Sequence, residues 1–159
     1  MDAPMTTLTQ LSPGERIARL QALANDSEAA AKMAVELIDC VVDADEEIRN
    51  WASEALENLE APLASDAAKI AKQISNPADD AAYWALKLLG RLGEEAKSQE
   101  AQIAAALKPE RSLTVQQNAA WALGKIGFES STTRGLLEKA AGSADARLAQ
   151  LAKQALSGN

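Results

Sequence analysis

One apolar pattern recurs through this chain at a nearly constant spacing. Its clearest copy is residues 115–127, V-Q-Q-N-A-A-W-A-L-G-K-I-G. Aligning the sequence with itself brings apolar residues into columns separated by steps of 33, 34 and 33 residues. The columns are Ile48, Ala81, Val115 and Leu148; Ala52, Ala85, Ala119 and Ala152; and Leu56, Leu89, Leu123 and Leu156. A period of this length, built from helical units, is typical of a solenoid.

The composition indicates that the repeated units are helical. Hydrophobic residues make up 47% of the 159 residues and aromatic residues only 3%. Alanine and leucine supply much of the apolar content, and helix formers outnumber the β-branched residues that strands favour. The sequence therefore predicts an all-α fold, long enough for one ordinary domain.

Capping and turn residues divide the chain into a leader, a cap helix and four helix pairs. The segment S-P-G-E at residues 12–15 combines a capping serine, a first-turn proline and a glutamate three residues after the cap, which predicts a helix start. Gly93 and Gly127 follow predicted second helices and suit the left-handed conformation that closes a helix. We expect a flexible leader at 1–11 and a single repeat domain at 12–159, with a cap helix at 12–26 and repeats at about 27–59, 60–93, 94–127 and 128–158.

Two of the repeats resemble a known family. A-A-W-A-L-G-K-I-G at 119–127 and A-A-Y-W-A-L-K-L-L-G-R-L-G at 81–93 are similar to the HEAT-like repeat of phycobilisome lyases and many bacterial scaffolds. The resemblance covers about residues 27–158. It implies a right-handed α-solenoid of about four HEAT-like helix pairs, with the second helices lining a concave side that binds other macromolecules.

The family often places an aspartate in the turn within a repeat and an arginine just after the valine column. Asp43 and Arg49 match this pattern, whereas Ala82, Gln116 and Ala149 occupy the later arginine positions. A complete ladder of aspartate and arginine is therefore not expected.

The residue inventory argues against an enzyme. The chain has no histidine, the side chain that most often titrates near neutral pH and ligates zinc. It contains no nucleotide-binding or nucleophile-elbow motif, and the single Cys40 can build neither a metal cage nor an internal disulfide. We expect no catalytic residues, no metal and no cofactor. Cys40 is interpreted as a small, partly exposed filler residue.

A cluster of carboxylates lies in one turn, at Asp43, Asp45, Glu46 and Glu47. It lacks the glycine and the spacing of a calcium loop. Negative charge favours the N-terminus of a helix, so we interpret the cluster as a helix-starting turn.

Charge is distributed unevenly along the chain. The net charge is −7. Residues 1–60 hold 4 basic and 13 acidic residues, whereas residues 61–159 hold 12 and 10. Nucleic acid is disfavoured as a partner, because its binding depends on clustered lysine and arginine. With no secretory leader and no apolar run of bilayer length, we expect a cytoplasmic protein that does not bind a membrane. Capped ends favour a monomer.

Three tryptophans stand out in a chain that is poor in aromatic residues. Trp51, Trp84 and Trp121 all lie on predicted second helices, near the edge of the apolar face or beyond it. Exposed aromatic stripes mark binding surfaces, and tryptophan is enriched among interface hot spots. The alternative is that Trp51 and Trp84 pack between repeats.

These features predict a non-enzymatic protein-protein interaction scaffold. Its concave face would hold a partner helix or extended peptide through the three tryptophans, and acidic residues would select a basic protein partner. The acidic residues are Glu46, Glu47, Glu54 and Glu57. Two alternatives remain, a chromophore-binding protein related to bilin lyases and a HEAT-like DNA-binding protein.

Overall fold

A computed structural model describes residues 6–158, and within that range every regular element is helical. Short 3-10 segments occur at Leu8–Gln10, Ala64–Asp66, Gln73–Ser75 and Gly93–Gln99. The α-helices in the described residues are α1 Pro13–Ala24, α2 Ser27–Lys32, α3 Ala34–Cys40, α4 Glu46–Asn58, α5 Ala67–Lys72, α6 Asp79–Leu92, α7 Glu100–Ala105, α8 Leu113–Ile126, α9 Ser131–Ala141 and α10 Ala146–Leu156.

Each predicted repeat contains one helix pair. The second helices are α4, α6, α8 and α10, and the first helices are α2 with α3, α5, α7 and α9. The column residues are buried, except for the half-buried Leu156 in the last turn of α10. The prediction of an all-α solenoid of helix pairs is confirmed.

The chain divides into two compact units, one ending at Glu60 and the other beginning at Ala61. The assignment of residues 12–159 to one repeat domain stays a prediction. The boundary falls in the connection between repeats one and two, where the charge also changes from acidic to mildly basic. Each unit has its own buried core.

Unit 1 is built around α4, against which α1 and α3 pack. Its core holds large aliphatic side chains. They include Leu20, Leu23, Leu37, Ile38 and Leu56. The cap helix α1 begins with the predicted cap, since the Ser12 hydroxyl accepts a hydrogen bond from the backbone N–H of Glu15. Met33 separates α2 from α3, so the first helix of this repeat is broken.

The described part of the leader is packed rather than frayed. Leu8 is fully buried. Arg16 holds the leader with its whole guanidinium group: Nε donates to the Leu8 carbonyl at 2.8 Å, and Nη2 donates to the carbonyls of Thr9 and Leu11. Its Nη1 pairs with Asp43 at 2.9 Å. The expected flexibility therefore does not extend to this segment, and residues 1–5 of the leader lie outside the described residues.

The turns within repeats one and three are closed by side chains at the position just after the first apolar column. Arg49 Nη1 donates to the carbonyls of Asp43 and Ala44, both at 2.9 Å. In repeat three Gln116 Nε2 donates to the Arg111 carbonyl at 2.7 Å. Glutamine thus performs the turn-closing role of arginine in repeat three.

Unit 2 places its second helices side by side. Helix α6 packs against α8, and α8 packs against α10. The first helices α7 and α9 pack on α8 and α10 respectively. Gly93 and Gly127 end α6 and α8 with φ of 61° and 81°, as predicted, because only glycine adopts this conformation without strain.

Candidate functional site

Besides the half-buried Tyr83 on α6, unit 2 presents Trp121 on its second helices. Trp121 is half-buried as well. It lies on Gly90 of the neighbouring α6, so closely that a Cβ atom at Gly90 would overlap Cζ3 of the ring and approach Cη2 to 2.7 Å. The indole therefore occupies the space that a side chain at position 90 would need.

Two lysines flank this ring. Lys87 Nζ lies 4.5 Å from the Trp121 ring centroid, and Lys125 Nζ lies 6.0 Å from it. A cation over the face of an indole is attracted by the ring quadrupole. The accessible ring therefore sits in a positively charged setting.

Trp84 occupies a different environment. It is only 7% exposed, and it meets Tyr83 edge to face with ring centroids 5.1 Å apart. Arg91 Cζ lies 5.9 Å from its ring centroid. The structure thus agrees with the alternative that Trp84 is packed, and its role in binding a partner stays a prediction.

The remaining predicted site residues lie on α4 in unit 1. Trp51 is half-buried, and the four glutamates are exposed. Glu46 and Glu47 form the first turn of α4, where Asp45 Oδ1 caps the helix by accepting from the backbone N–H of Glu47 at 2.8 Å. Glu54 and Glu57 lie further along the helix. The structure therefore brings these residues together on one helix, and their role in binding a partner stays a prediction.

Trp121 also lines a small cleft. It has a volume of about 110 Å³ and lies between α8 and α10. Its lining is Ala120, Trp121, Gly124, Lys125, Leu151, Gln154 and Ala155. Gly90, Gly124 and Gln154 are not among the site residues predicted from the sequence. A signal was present, since Gly90 and Gly124 share one repeat column, as do Trp121 and Gln154.

A larger groove of about 540 Å³ lies between the first helices α7 and α9. Its floor includes Ala101 and Ala104. At its edge Glu100 accepts hydrogen bonds from the backbone N–H groups of Glu129 at 3.2 Å and Ser130 at 3.0 Å. Burial raises the pKa of Glu100, but these hydrogen bonds and one from Thr133 outweigh it and hold the pKa below its usual value. An ionised carboxylate that anchors the start of α9 is a structural group.

Cys40 is buried rather than partly exposed, which corrects the sequence-based expectation. It is only 3% exposed, because the end of α3 packs on α4. Burial raises its pKa from the ordinary 9.0 to about 11. The thiolate is the reactive form of cysteine, so this side chain is a poor nucleophile and acts as a filler residue.

Residues 6–158 form neither a metal site nor a membrane-spanning helix. No group of three or more metal-ligating side chains is placed to hold an ion. No helix in this range is long and apolar enough to cross a membrane.

Comparison with solved structures identifies the type of fold. A designed armadillo repeat protein in complex with the peptide (KR)4 has a TM-score of 0.63 at 16% identity, over 96% of this chain and 80% of that one. Two engineered proteins give TM-scores of 0.64 and 0.61 at 19% and 18% identity, each over 96% of this chain. They are covered over 76% and 77% of their own lengths. At such identities the likeness shows the fold alone, an armadillo-like helical repeat.

No family model matches the sequence, and no curated protein matches it either. The solved structures confirm the helical-repeat part of the predicted resemblance. No match supports the phycobilisome lyase type.

Proposed function

We propose that this chain is a non-enzymatic scaffold whose second helices bind a peptide or helix of a protein partner. The observation that carries the proposal is the Trp121 ring, which is held on Gly90 and remains half-exposed. A rigid, partly exposed indole loses little conformational entropy on binding and supplies a large contact area. Such residues are frequent hot spots of interfaces.

The acidic helix α4 favours a basic segment of the partner. Glu46, Glu47, Glu54 and Glu57 are all exposed on this helix, and Trp51 is half-exposed among them. Like charges repel an acidic ligand and opposite charges speed the approach of a basic one. The designed armadillo repeat protein of similar fold is in complex with (KR)4, which supports a basic peptide as the ligand of α4.

Three finer features belong to the same proposal. We infer that the repeats are of the HEAT-like type, that the protein is cytoplasmic, and that it acts as a monomer. The HEAT-like sequence pattern at 81–93 and 119–127 supports the first inference.

The experiment is a binding screen with Trp121→Ala and a matched control. Peptides of varied charge and anchor residue are immobilised and probed with the native chain and with each variant. Phe128→Ala is the control, because Phe128 is a half-buried aromatic residue of the same unit that lies between α8 and α9. Circular dichroism establishes that each variant keeps its helices.

We expect the native chain and Phe128→Ala to retain the same peptides and Trp121→Ala to lose them. Removing an aromatic side chain that a partner buries in the interface typically lowers the affinity tenfold or more, on the order of 2 kcal/mol. If Trp121→Ala binds the same peptides as the native chain, the proposed face is wrong.

A further inference from the structure

Trp51 differs from the other aromatic residues of the chain in what lies beside its ring. The chain has five aromatic residues. Four of them have a lysine or arginine group within 6.0 Å of the ring centroid: Tyr83, Trp84, Trp121 and Phe128. Among residues 6–158, no cation lies over the ring of Trp51. Trp51 is therefore the one indole whose face is open to a cation from outside the chain.

The basic side chains of unit 1 are engaged away from this ring. They are Arg16, Arg19, Lys32 and Arg49. Each of them contacts another group, which is a carboxylate, a methionine sulfur or a backbone carbonyl. The unit thus has an excess of negative charge and leaves the Trp51 ring without a cation of its own.

Two glutamates flank Trp51 on the surface of α4. Glu47 precedes it by four residues and Glu54 follows it by three, and residues at these spacings lie side by side on a helix. Both glutamates are exposed. Glu54 accepts a long hydrogen bond from Asn58 Nδ2 at 3.4 Å, and neither glutamate forms an ion pair within the described part of the chain. The setting of Trp51 is therefore the reverse of that of Trp121, which two lysines flank.

We propose that Trp51 binds the guanidinium group of an arginine of the partner, with Glu47 and Glu54 as the carboxylates that pair with it. This inference rests on the proposed function and names the anchor residue of the basic segment. A guanidinium stacks on an aromatic face, and its planar fork of N–H groups matches a carboxylate. The ammonium group of lysine is a more strongly hydrated point charge. The site therefore favours arginine over lysine.

The same arginine is disfavoured at the exposed indole of unit 2. Lys87 Nζ lies 4.5 Å from the Trp121 ring centroid and Lys125 Nζ lies 6.0 Å from it, so an arriving cation meets like charge there. The charge around the two rings thus directs an arginine to Trp51.

The test uses two labelled peptides of equal charge, Arg-Gly-Arg-Gly-Arg and Lys-Gly-Lys-Gly-Lys, and fluorescence anisotropy at low salt. Trp51→Leu removes the aromatic ring, and Trp51→Phe keeps a ring that attracts cations less strongly. Glu54→Gln removes one flanking charge. Glu15→Gln is its matched control, because Glu15 is an exposed glutamate of the same unit that lies on α1. Urea unfolding checks that each variant is folded.

We expect the native chain to bind the arginine peptide more tightly than the lysine peptide. Trp51→Leu should weaken the arginine peptide by about two- to thirtyfold, the range of cation–π contacts from exposed to desolvated sites, and should abolish the preference for arginine. Trp51→Phe should cause a smaller loss. Glu54→Gln should weaken the arginine peptide more than Glu15→Gln does, although both change the net charge equally.

Several results would overturn the inference. If Trp51→Leu binds the arginine peptide as the native chain does, the arginine does not use this ring. Should Trp51→Leu fail to fold, an unchanged affinity of Trp51→Phe leads to the same conclusion. If the native chain binds both peptides equally, the anchor is not arginine.

The failure of the inference can be told apart from that of the proposed function. If the native chain binds neither basic peptide but retains other peptides through Trp121, the inference fails and the scaffold function stands. If the arginine peptide binds through Trp51 and nothing depends on Trp121, the inference stands and the proposed face of unit 2 is wrong. If no peptide of any charge binds, both fail.

Discussion

The contact of Trp121 with Gly90 predicts that an alanine at position 90 is harmful even though alanine is the better helix former. A Cβ added there would overlap Cζ3 of the ring and come within 2.7 and 2.9 Å of two further ring atoms. Gly124→Ala is the natural comparison. Its Cβ would meet Ala155 at 3.5 Å, which is ordinary van der Waals contact.

The magnitude follows from two opposing effects. Replacing glycine by alanine inside a helix stabilises by about 1 kcal/mol. Overpacking a well-filled contact costs about 1–3 kcal/mol, because the ring must move. We therefore expect Gly90→Ala to be neutral or to destabilise by up to about 2 kcal/mol, and Gly124→Ala to stabilise by up to about 1 kcal/mol.

A double-mutant cycle isolates the contact. In a Trp121→Ala background the overlap is absent, so Gly90→Ala should stabilise the protein as Gly124→Ala does. The expected coupling energy between positions 90 and 121 is about 1–3 kcal/mol. Urea unfolding followed by circular dichroism measures each free energy. The reasoning is refuted if Gly90→Ala has the same effect in both backgrounds.

Three further predictions concern stability. Burial raises the pKa of the Cys40 thiol to about 11. The free energy of unfolding of the native chain, compared with that of Cys40→Ala, should therefore be unchanged below about pH 9 and fall by up to about 3 kcal/mol as the pH rises through 11. Urea unfolding measures this difference. Arg16→Lys removes the planar fork that holds residues 7–11, which should cost about 1–3 kcal/mol and expose that segment to limited proteolysis. The hydrogen bond from the backbone N–H of Leu148 lowers the pKa of Asp145. Asp145→Ala should therefore destabilise the protein at neutral pH and do so less in acid, where the native carboxyl becomes protonated below its usual pKa. An equal effect at both pH values in thermal unfolding would contradict this.

The repeat pattern predicts the fold because its columns are also the core. Burial of Ile48, Ala52 and Leu56 follows directly from their spacing, and the same holds for their equivalents in later repeats except the half-buried Leu156. The pattern does not predict the break at Met33 or the packing of Leu8. Both depend on contacts between residues distant in sequence, such as the hydrogen bond from Arg16 to the Leu8 carbonyl.

The candidate site was predicted in part. The sequence identified Trp121 as exposed, since its angle on the helix lies well away from the apolar face. It could not decide whether Trp84 is exposed or packed, because its position at the edge of the apolar face fits both. Nor could it show the role of Gly90, a residue without a side chain, which appears only when a ring from the next helix lies on it.

The most direct test of the account is an NMR titration of the ¹⁵N-labelled native chain with a peptide that the binding screen retains. The indole N–H of Trp121 and the amides of Gly90 and Lys125 report on the proposed face, whereas the amides of α7 and α9 report on the larger groove. The account predicts that the largest shift changes occur at the Trp121 indole and around Gly90. Changes confined to α7 and α9, or no change at all, would contradict it.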